Sequence, residues 1–237
     1  MDNYFVSSCK RVKDWICRQF GQKEKKTVHH KKFADGGEVI VWETGRAGEE
    51  AASYENLFLR KEIAGFRTNI RREQSCSIKS LTRDYLYKQL LSSGEYTFDH
   101  MLVIKDPYGE APLTALALFI LEEPACVRVT TKGNLKETDF VTELPKKKEH
   151  RVPILGMYAE KANDIVIEIL DDEGNCVKSH TFTIRTKRLP KSLRNVITVK
   201  KWTDKPAYSN IMINGGVKIH TCVFDIEGEI RYYLSRK

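Results

Sequence analysis

The chain has 237 residues, of which 41% are hydrophobic and 30% are charged. This balance predicts a folded globular protein and argues against a disordered or fibrous one. No apolar run approaches the roughly 20 residues that a membrane-spanning helix needs, and residues 1–20 lack the apolar core of a secretory signal. We therefore expect a cytoplasmic protein without a transmembrane segment.

Two segments carry the net charge of +8. Residues 1–33 hold nine Lys/Arg against three Asp/Glu, and residues 185–205 hold eight against one. A basic protein can bind nucleic acid, but clustered charge on a tail and a linker more often marks a solvated surface. No nucleic-acid partner is predicted, and an anionic partner held by the tail and linker remains one alternative.

The region 1–95 is predicted to be an α-rich basic extension. Helical spacing of apolar residues occurs at 10–20, 49–64 and 78–91, and a short strand is expected at 38–42. The basic amphipathic helix at 10–20 can be interpreted as a helix on an anionic membrane, or else as a helix docked on the protein itself or a leftover terminal extension. We favour the last two over the membrane, because one short amphipathic helix is a weak membrane signal.

From residue 96 the pattern changes to short strands separated by turns. Strands are predicted at 98–104, 113–121, 126–130, 164–170 and 176–185. Asp106–Gly109 has Pro and Gly at positions that favour a β-turn, and Asp171–Asn175 is predicted to be a hairpin loop. The spacing of strands and turns predicts an Ig-like β-sandwich at 96–186, so that the fold class is mainly β with an α-rich N-terminal extension.

Residues 187–237 are predicted to form a linker and a further β region. Strand candidates are 196–199 and 211–213, and a C-terminal hairpin is expected from 217–224 and 230–234. A hairpin by itself is only marginally stable in water. It must therefore pack on the sandwich, or else the rest of its sheet is missing.

No known catalytic or cofactor-binding motif is present. The six cysteines include no C-x-x-C pair, and the histidines at 29, 30, 100, 150, 180 and 220 show no ligand spacing. The acidic run Asp171–Glu173 is more typical of a soluble turn than of a calcium site, and Tyr232–Tyr233 offers one ring to each face of a strand. No catalytic, cofactor-binding or metal residue is predicted, and the residues favour a binding or structural module over an enzyme.

Several segments together resemble the N-terminal region of the arylsulfate sulfotransferases. In chain order they are DPYGEAPLTA (106–115), EPACVRVTTKG (123–133), HRVPILGMY (150–158), ANDIVI (162–167) and DIEGEIRYYL (225–234). The first four are similar to segments of that family's N-terminal domain. The last resembles the hairpin with which the family's β-propeller begins.

The resemblance implies an enzyme family that moves a sulfuryl group from a phenolic sulfate ester to another phenol through a histidine of a six-bladed propeller. Family members are usually exported. None of this chain's histidines matches the catalytic one, so no catalytic residue is carried over. We expect the non-catalytic N-terminal portion of such an enzyme, truncated at the start of the propeller. Its expected partners are the missing propeller portion or a second copy of itself. Aryl sulfate and phenol are substrates only in the full-length context. The alternative is a stand-alone β-sandwich interaction module without enzymatic activity.

Overall fold

The computed structural model describes residues 28–33, 36–62, 72–194, 197–198, 210–213 and 221–235, with side chains except at 53, 55–62, 72–79 and 210–213. The predicted helix at 10–20 and half of each of the predicted strands at 196–199 and 217–224 lie outside these residues. In chain order the described elements are β1 Val28–Lys32, β2 Glu38–Trp42, α1 Thr44–Glu62, α2 Arg72–Ser92, β3 His100–Lys105, β4 Ala115–Thr131, β5 Phe140–Ile154, β6 Ala162–Leu170, β7 Cys176–Arg185, β8 Asn210–Ile213, β9 Cys222–Asp225 and β10 Ile230–Tyr233.

The first seven strands form one strongly bent sheet. β4 and β5 make a long antiparallel hairpin with register shifts between Ile120 and Val127. Before the shifts β4 pairs with β3, and after them it pairs with β6. The hairpin therefore belongs to two layers, with β1, β2 and β3 in one and β6 and β7 in the other. The result is a mainly β fold whose two layers belong to one nearly closed, barrel-like sheet.

β3 and the first half of β4 are buried on both faces. Alternate residues of β3 enter two different apolar clusters: Met101 and Val103 point between the layers, whereas Leu102 and Ile104 point towards the helices. A strand that is covered on both sides needs no polar face. This explains why most of the nearly continuous apolar run at 113–121 forms a strand, as predicted. The strand predicted separately at 126–130 is the continuation of the same β4.

The predicted α-rich N-terminal extension is not supported. Helices α1 and α2 do form close to the predicted positions, but β1 and β2 are part of the main sheet, and β2 pairs in parallel with β3. Ala47 and Ala51 of α1 and Leu86 of α2 are buried in the cluster that covers the outer face of the first layer. None of the helices in the described residues is long and apolar enough to cross a membrane.

The two open edges of the sandwich meet at a seam between β1 and β7. The Lys31 ammonium donates to the backbone oxygen of Thr183. The ring of His180 stacks between Phe33, at a centroid distance of 4.0 Å, and Phe98, at 4.6 Å. His180 Nε2 lies 2.8 Å from the carboxylate of Asp99. These contacts tie the layers together where no backbone pairing closes them.

A second, three-stranded sheet contains β8, β9 and β10, with β9 in the middle. Its side chains are continuous with the sandwich interior, because Cys222, Ile230 and Tyr233 belong to the cluster between the layers. Of the two alternatives left open for the C-terminal hairpin, β9 and β10 follow the first, since they pack on the sandwich.

Candidate functional site

Arg231 lies at the centre of a polar junction that joins the C-terminal hairpin to the sandwich. Its side chain has no exposed surface. Nε donates to the backbone oxygen of Gly156 at 2.7 Å, and Nη1 donates to the backbone oxygen of Thr138 at 2.8 Å. A β-bulge in β10 falls between Ile230 and Tyr232, at Arg231, and bulges re-aim side chains. The bulge therefore occurs at the residue whose guanidinium points into the protein.

Asp225, at the end of β9, is the counter-charge and is also fully buried. One carboxylate oxygen, Oδ1, accepts the backbone N–H groups of Glu227 and Glu229 at 3.0 and 3.1 Å and so shapes the hairpin turn. The other, Oδ2, accepts from Arg231 Nη1 at 3.2 Å. Gly228 supplies the left-handed residue of this turn, with φ of 86°. The same carboxylate therefore fixes the turn and holds the guanidinium.

Tyr158 provides the sandwich side of the junction. The Arg231 guanidinium lies 3.9 Å from the centre of the Tyr158 ring, a cation–π arrangement. The hydroxyl donates to Asp225 Oδ2 at 3.0 Å, and it accepts from Arg231 Nη1 at 3.0 Å and from the Asn134 backbone N–H at 3.0 Å. Burial raises the pKa of Tyr158, so the hydroxyl keeps the proton that it donates.

Asn163, at the start of β6, holds the backbone of Tyr158 in place. Its amide oxygen accepts the Tyr158 N–H at 2.6 Å, and its amide nitrogen donates to the Tyr158 backbone oxygen at 3.0 Å and to that of Ile184 at 3.3 Å. Asn163 is 2% exposed. A buried amide with these partners fixes one local backbone arrangement, because each lost bond leaves a buried polar group unsatisfied.

Gly156, whose backbone oxygen accepts from Arg231, is a position that only glycine fits well. Its φ is 75°, and a Cβ at this position would lie 2.6 Å from the Cβ of Phe140. Both features disfavour any larger residue. Gly133 is restricted by a clash alone, because a Cβ there would collide with the backbone of Thr138, whose oxygen accepts from Arg231.

One part of this chain matches a known family model. Residues 102–187 match the model described as the arylsulfotransferase Ig-like domain. This segment is therefore similar to that domain, and the match does not extend to the rest of the chain. A search of curated proteins finds no match to the chain. The matched segment of the Ig-like domain contains Gly133, Thr138, Gly156, Tyr158 and Asn163, whereas Asp225 and Arg231 lie beyond it.

The junction is built from segments that the sequence analysis had quoted but had not interpreted as a site. Gly156 and Tyr158 lie in HRVPILGMY, Asn163 in ANDIVI, and Asp225 and Arg231 in DIEGEIRYYL. Sequence reasoning missed the site because it searched for catalytic spacing. The sequence offered no clear signal, because the predicted hairpin carries several charged residues and nothing in their spacing singles out Asp225 and Arg231.

The residues that the sequence analysis weighed individually lie elsewhere. His29 and His30 are exposed on β1, beside Glu43 and Glu38 respectively. His150 and His180 are buried, and His220 lies outside the described residues. Within the part of the chain that the structure describes, no group of three His, Cys, Asp or Glu side chains is placed to hold a metal ion.

The acidic hairpin tip and the tyrosine pair also have definite places. Asp171 accepts the backbone N–H groups of Glu173 and Asn175 at 2.9 and 2.8 Å, so its carboxylate shapes its own turn. Tyr233 is buried in the sandwich core, and Tyr232 is partly buried. Neither tyrosine belongs to the junction around Arg231.

Proposed function

We propose that this chain provides the non-catalytic N-terminal part of an arylsulfate sulfotransferase. In this proposal the Ig-like domain holds the first strands of the catalytic propeller in place. The enzyme as a whole transfers a sulfuryl group from a phenolic sulfate ester to a phenol, and the propeller supplies the reacting histidine. The partner of the chain is then the remaining propeller, and aryl sulfate and phenol are substrates only of the assembled protein.

The observation that carries this proposal is the buried pairing of Arg231 with Asp225 and Tyr158. A surface hairpin needs no buried charge, and desolvating two charges has a large cost that the pair offsets only with good geometry and further hydrogen bonds. Such a network is useful where it specifies one relative orientation of two parts. It would fix the direction in which β9 and β10 present further strands.

The second candidate is a stand-alone interaction module, and one observation favours it. Cys222, Ile230 and Tyr233 of the hairpin complete the apolar interior between the sandwich layers. Among the described residues, hairpin and sandwich therefore form one continuous core. Such a unit can act by binding alone, without a propeller.

The two candidates are separated by a complementation experiment. The purified chain is assayed for transfer from 4-nitrophenyl sulfate to phenol, alone and together with an arylsulfate sulfotransferase propeller that lacks its own N-terminal region. We expect no transfer by the chain alone, and a stable complex with raised transfer when the propeller is added. Transfer by the chain alone contradicts the non-catalytic role. A chain that is folded but forms no complex favours the stand-alone module.

The matched variant for this experiment is Arg231→Met, with Arg188→Met as its control. Arg188 is an exposed arginine paired with Glu160 at 3.3 Å. It takes part in none of the hydrogen bonds of Arg231, so its loss removes a charge and leaves those bonds in place. We expect Arg231→Met to weaken complementation and Arg188→Met to leave it unchanged. Equal effects of the two variants would show that the junction does not orient the propeller.

A further inference from the structure

A cleft of about 390 Å³ lies between the last turns of α2 and the middle of β5. This volume is within the range of small-molecule sites, roughly 300–1,000 Å³. Three of its lining residues are apolar, namely Leu91, Leu144 and Pro145. The other residues of the lining are Lys88, Ser92, Lys147, Glu149, His150 and Arg151. The cleft shares no residue with the Arg231 junction.

The walls of the cleft are held by specific contacts. The Arg151 guanidinium of β5 pairs with Asp84 of α2, which ties one wall to the other. His150 is buried, its ring stacks on Phe119, and Nε2 lies 2.8 Å from the backbone oxygen of Lys147. These contacts fix the part of β5 that carries Lys147 relative to its neighbours. The cleft is therefore defined by the fold itself.

The charges around the cleft are unbalanced. Arg151 is already paired with Asp84, and Lys146 is paired with Asp172 at 2.5 Å. Lys88 and Lys147 have no ion-pair partner among the described residues. Two ammonium groups thus flank an apolar wall, with Glu149 as the only acidic residue in the lining.

We propose that this cleft binds a small organic anion with an apolar body, such as an aryl or alkyl carboxylate or sulfonate. The apolar part packs on Leu91, Leu144 and Pro145, and the anionic group lies between the ammoniums of Lys88 and Lys147. Lysines on an edge strand also oppose strand pairing between copies. Lys148 can serve that purpose without lining the cleft, so the two roles are separable.

The probe is 2-naphthalenesulfonate, titrated into the full chain by isothermal calorimetry. We expect a dissociation constant on the order of 1 mM or below, since a ligand of this size gains only modest affinity per atom. The double variant Lys88→Gln/Lys147→Gln should weaken binding by about tenfold, the effect of losing two exposed ion pairs. The control is Lys136→Gln/Lys148→Gln, which removes the same charge from exposed positions outside the cleft and should change the constant by less than about twofold.

Each other outcome overturns the proposal. Equal weakening in the two double variants means that the probe responds to overall charge and not to the cleft. No weakening in either, or no binding to the wild-type chain, means that the cleft is not a site. If inorganic sulfate binds as tightly as the probe, the apolar wall contributes nothing to binding. Thermal unfolding of each variant confirms that the fold is intact. Failure here leaves the proposed function untouched, because the junction lies elsewhere.

Discussion

Replacing Arg231 by methionine removes the charge and the hydrogen bonds of the junction but keeps an apolar side chain of similar length. The structure gives the size of the loss. Arg231 donates to two backbone oxygens, to the Tyr158 hydroxyl and to the Asp225 carboxylate. Its removal leaves a fully buried carboxylate without a counter-charge. Breaking one side of a buried ion pair destabilises a protein by about 3–5 kcal/mol. That loss is large beside a total stability of about 5–15 kcal/mol.

Two measurements report this loss of stability. Urea unfolding gives the change in the free energy of unfolding. Alkylation of Cys222, followed by mass spectrometry of its peptide, reports the local release of β9, because this thiol is 2% exposed. A loss of 3 kcal/mol corresponds to a rise of about a hundredfold in the population of open molecules. The alkylation rate of Cys222 should rise accordingly, up to the rate of a free thiol.

A double-mutant cycle isolates the ionic contact. Adding Asp225→Asn to Arg231→Met removes the unpaired charge, and the asparagine oxygen can still accept from the turn. The double variant should therefore lose less than the sum of the single variants, with a coupling of about 1–3 kcal/mol. Arg188→Met, at an exposed pair, should stay within about 0.5 kcal/mol of the wild type. The reasoning is refuted if Arg231→Met costs less than about 1 kcal/mol with unchanged Cys222 alkylation, or if the cycle is additive.

Two further predictions concern a glycine and a histidine. Gly156→Ala should cost about 2–4 kcal/mol, since it combines left-handed backbone strain with a clash against Phe140. Gly174→Ala has a similar φ of 85° but open space around the Cβ, so urea unfolding should show only the backbone strain of about 1–2 kcal/mol; equal costs would contradict the predicted clash. Burial lowers the pKa of His150 below the unfolded value, so its stabilising contribution is present above about pH 6.5 and declines as the pH falls further. The stability difference between the wild type and His150→Gln should therefore shrink from pH 7.5 to 5.5, and a constant difference would show that His150 does not titrate in this range.

The sequence predicted the elements that depend on local pattern. β7 has the predicted bounds, and β6 extends the predicted strand by only two residues. Both alternate apolar and polar residues and are joined by a turn with its own chemistry. The turn Asp106–Gly109 also forms as predicted, with the Gly109 N–H donating to the Asp106 oxygen at 2.9 Å. In these places the neighbours in sequence are also the neighbours in space.

β5 could not be predicted in this way. Its residues 145–149 are an exposed run of proline, lysine and glutamate, which carries neither alternation nor an apolar run. The strand exists because β4 provides a long partner on one side, and a sheet edge tolerates proline and lysine. β1 is a similar case, since four of its five residues are exposed and its pairing with β2 defines it. A strand that forms mainly because a neighbouring strand pairs with it shows little β pattern in its own sequence.

The junction was inaccessible to pattern reasoning for a related reason. Simple alternation treats an arginine within a hairpin as a solvent-facing residue. Here the bulge directs Arg231 inward, and its partner Gly156 lies 75 positions earlier in the chain. Each partner is unremarkable alone, and only the fold brings them together. Burying a charged residue between the hairpin and the sandwich lowers the stability of the protein unless its partners are present at the same time. The junction therefore constrains the sandwich and the hairpin jointly, and this joint constraint is what a domain needs if it is to set the direction of the strands that follow it.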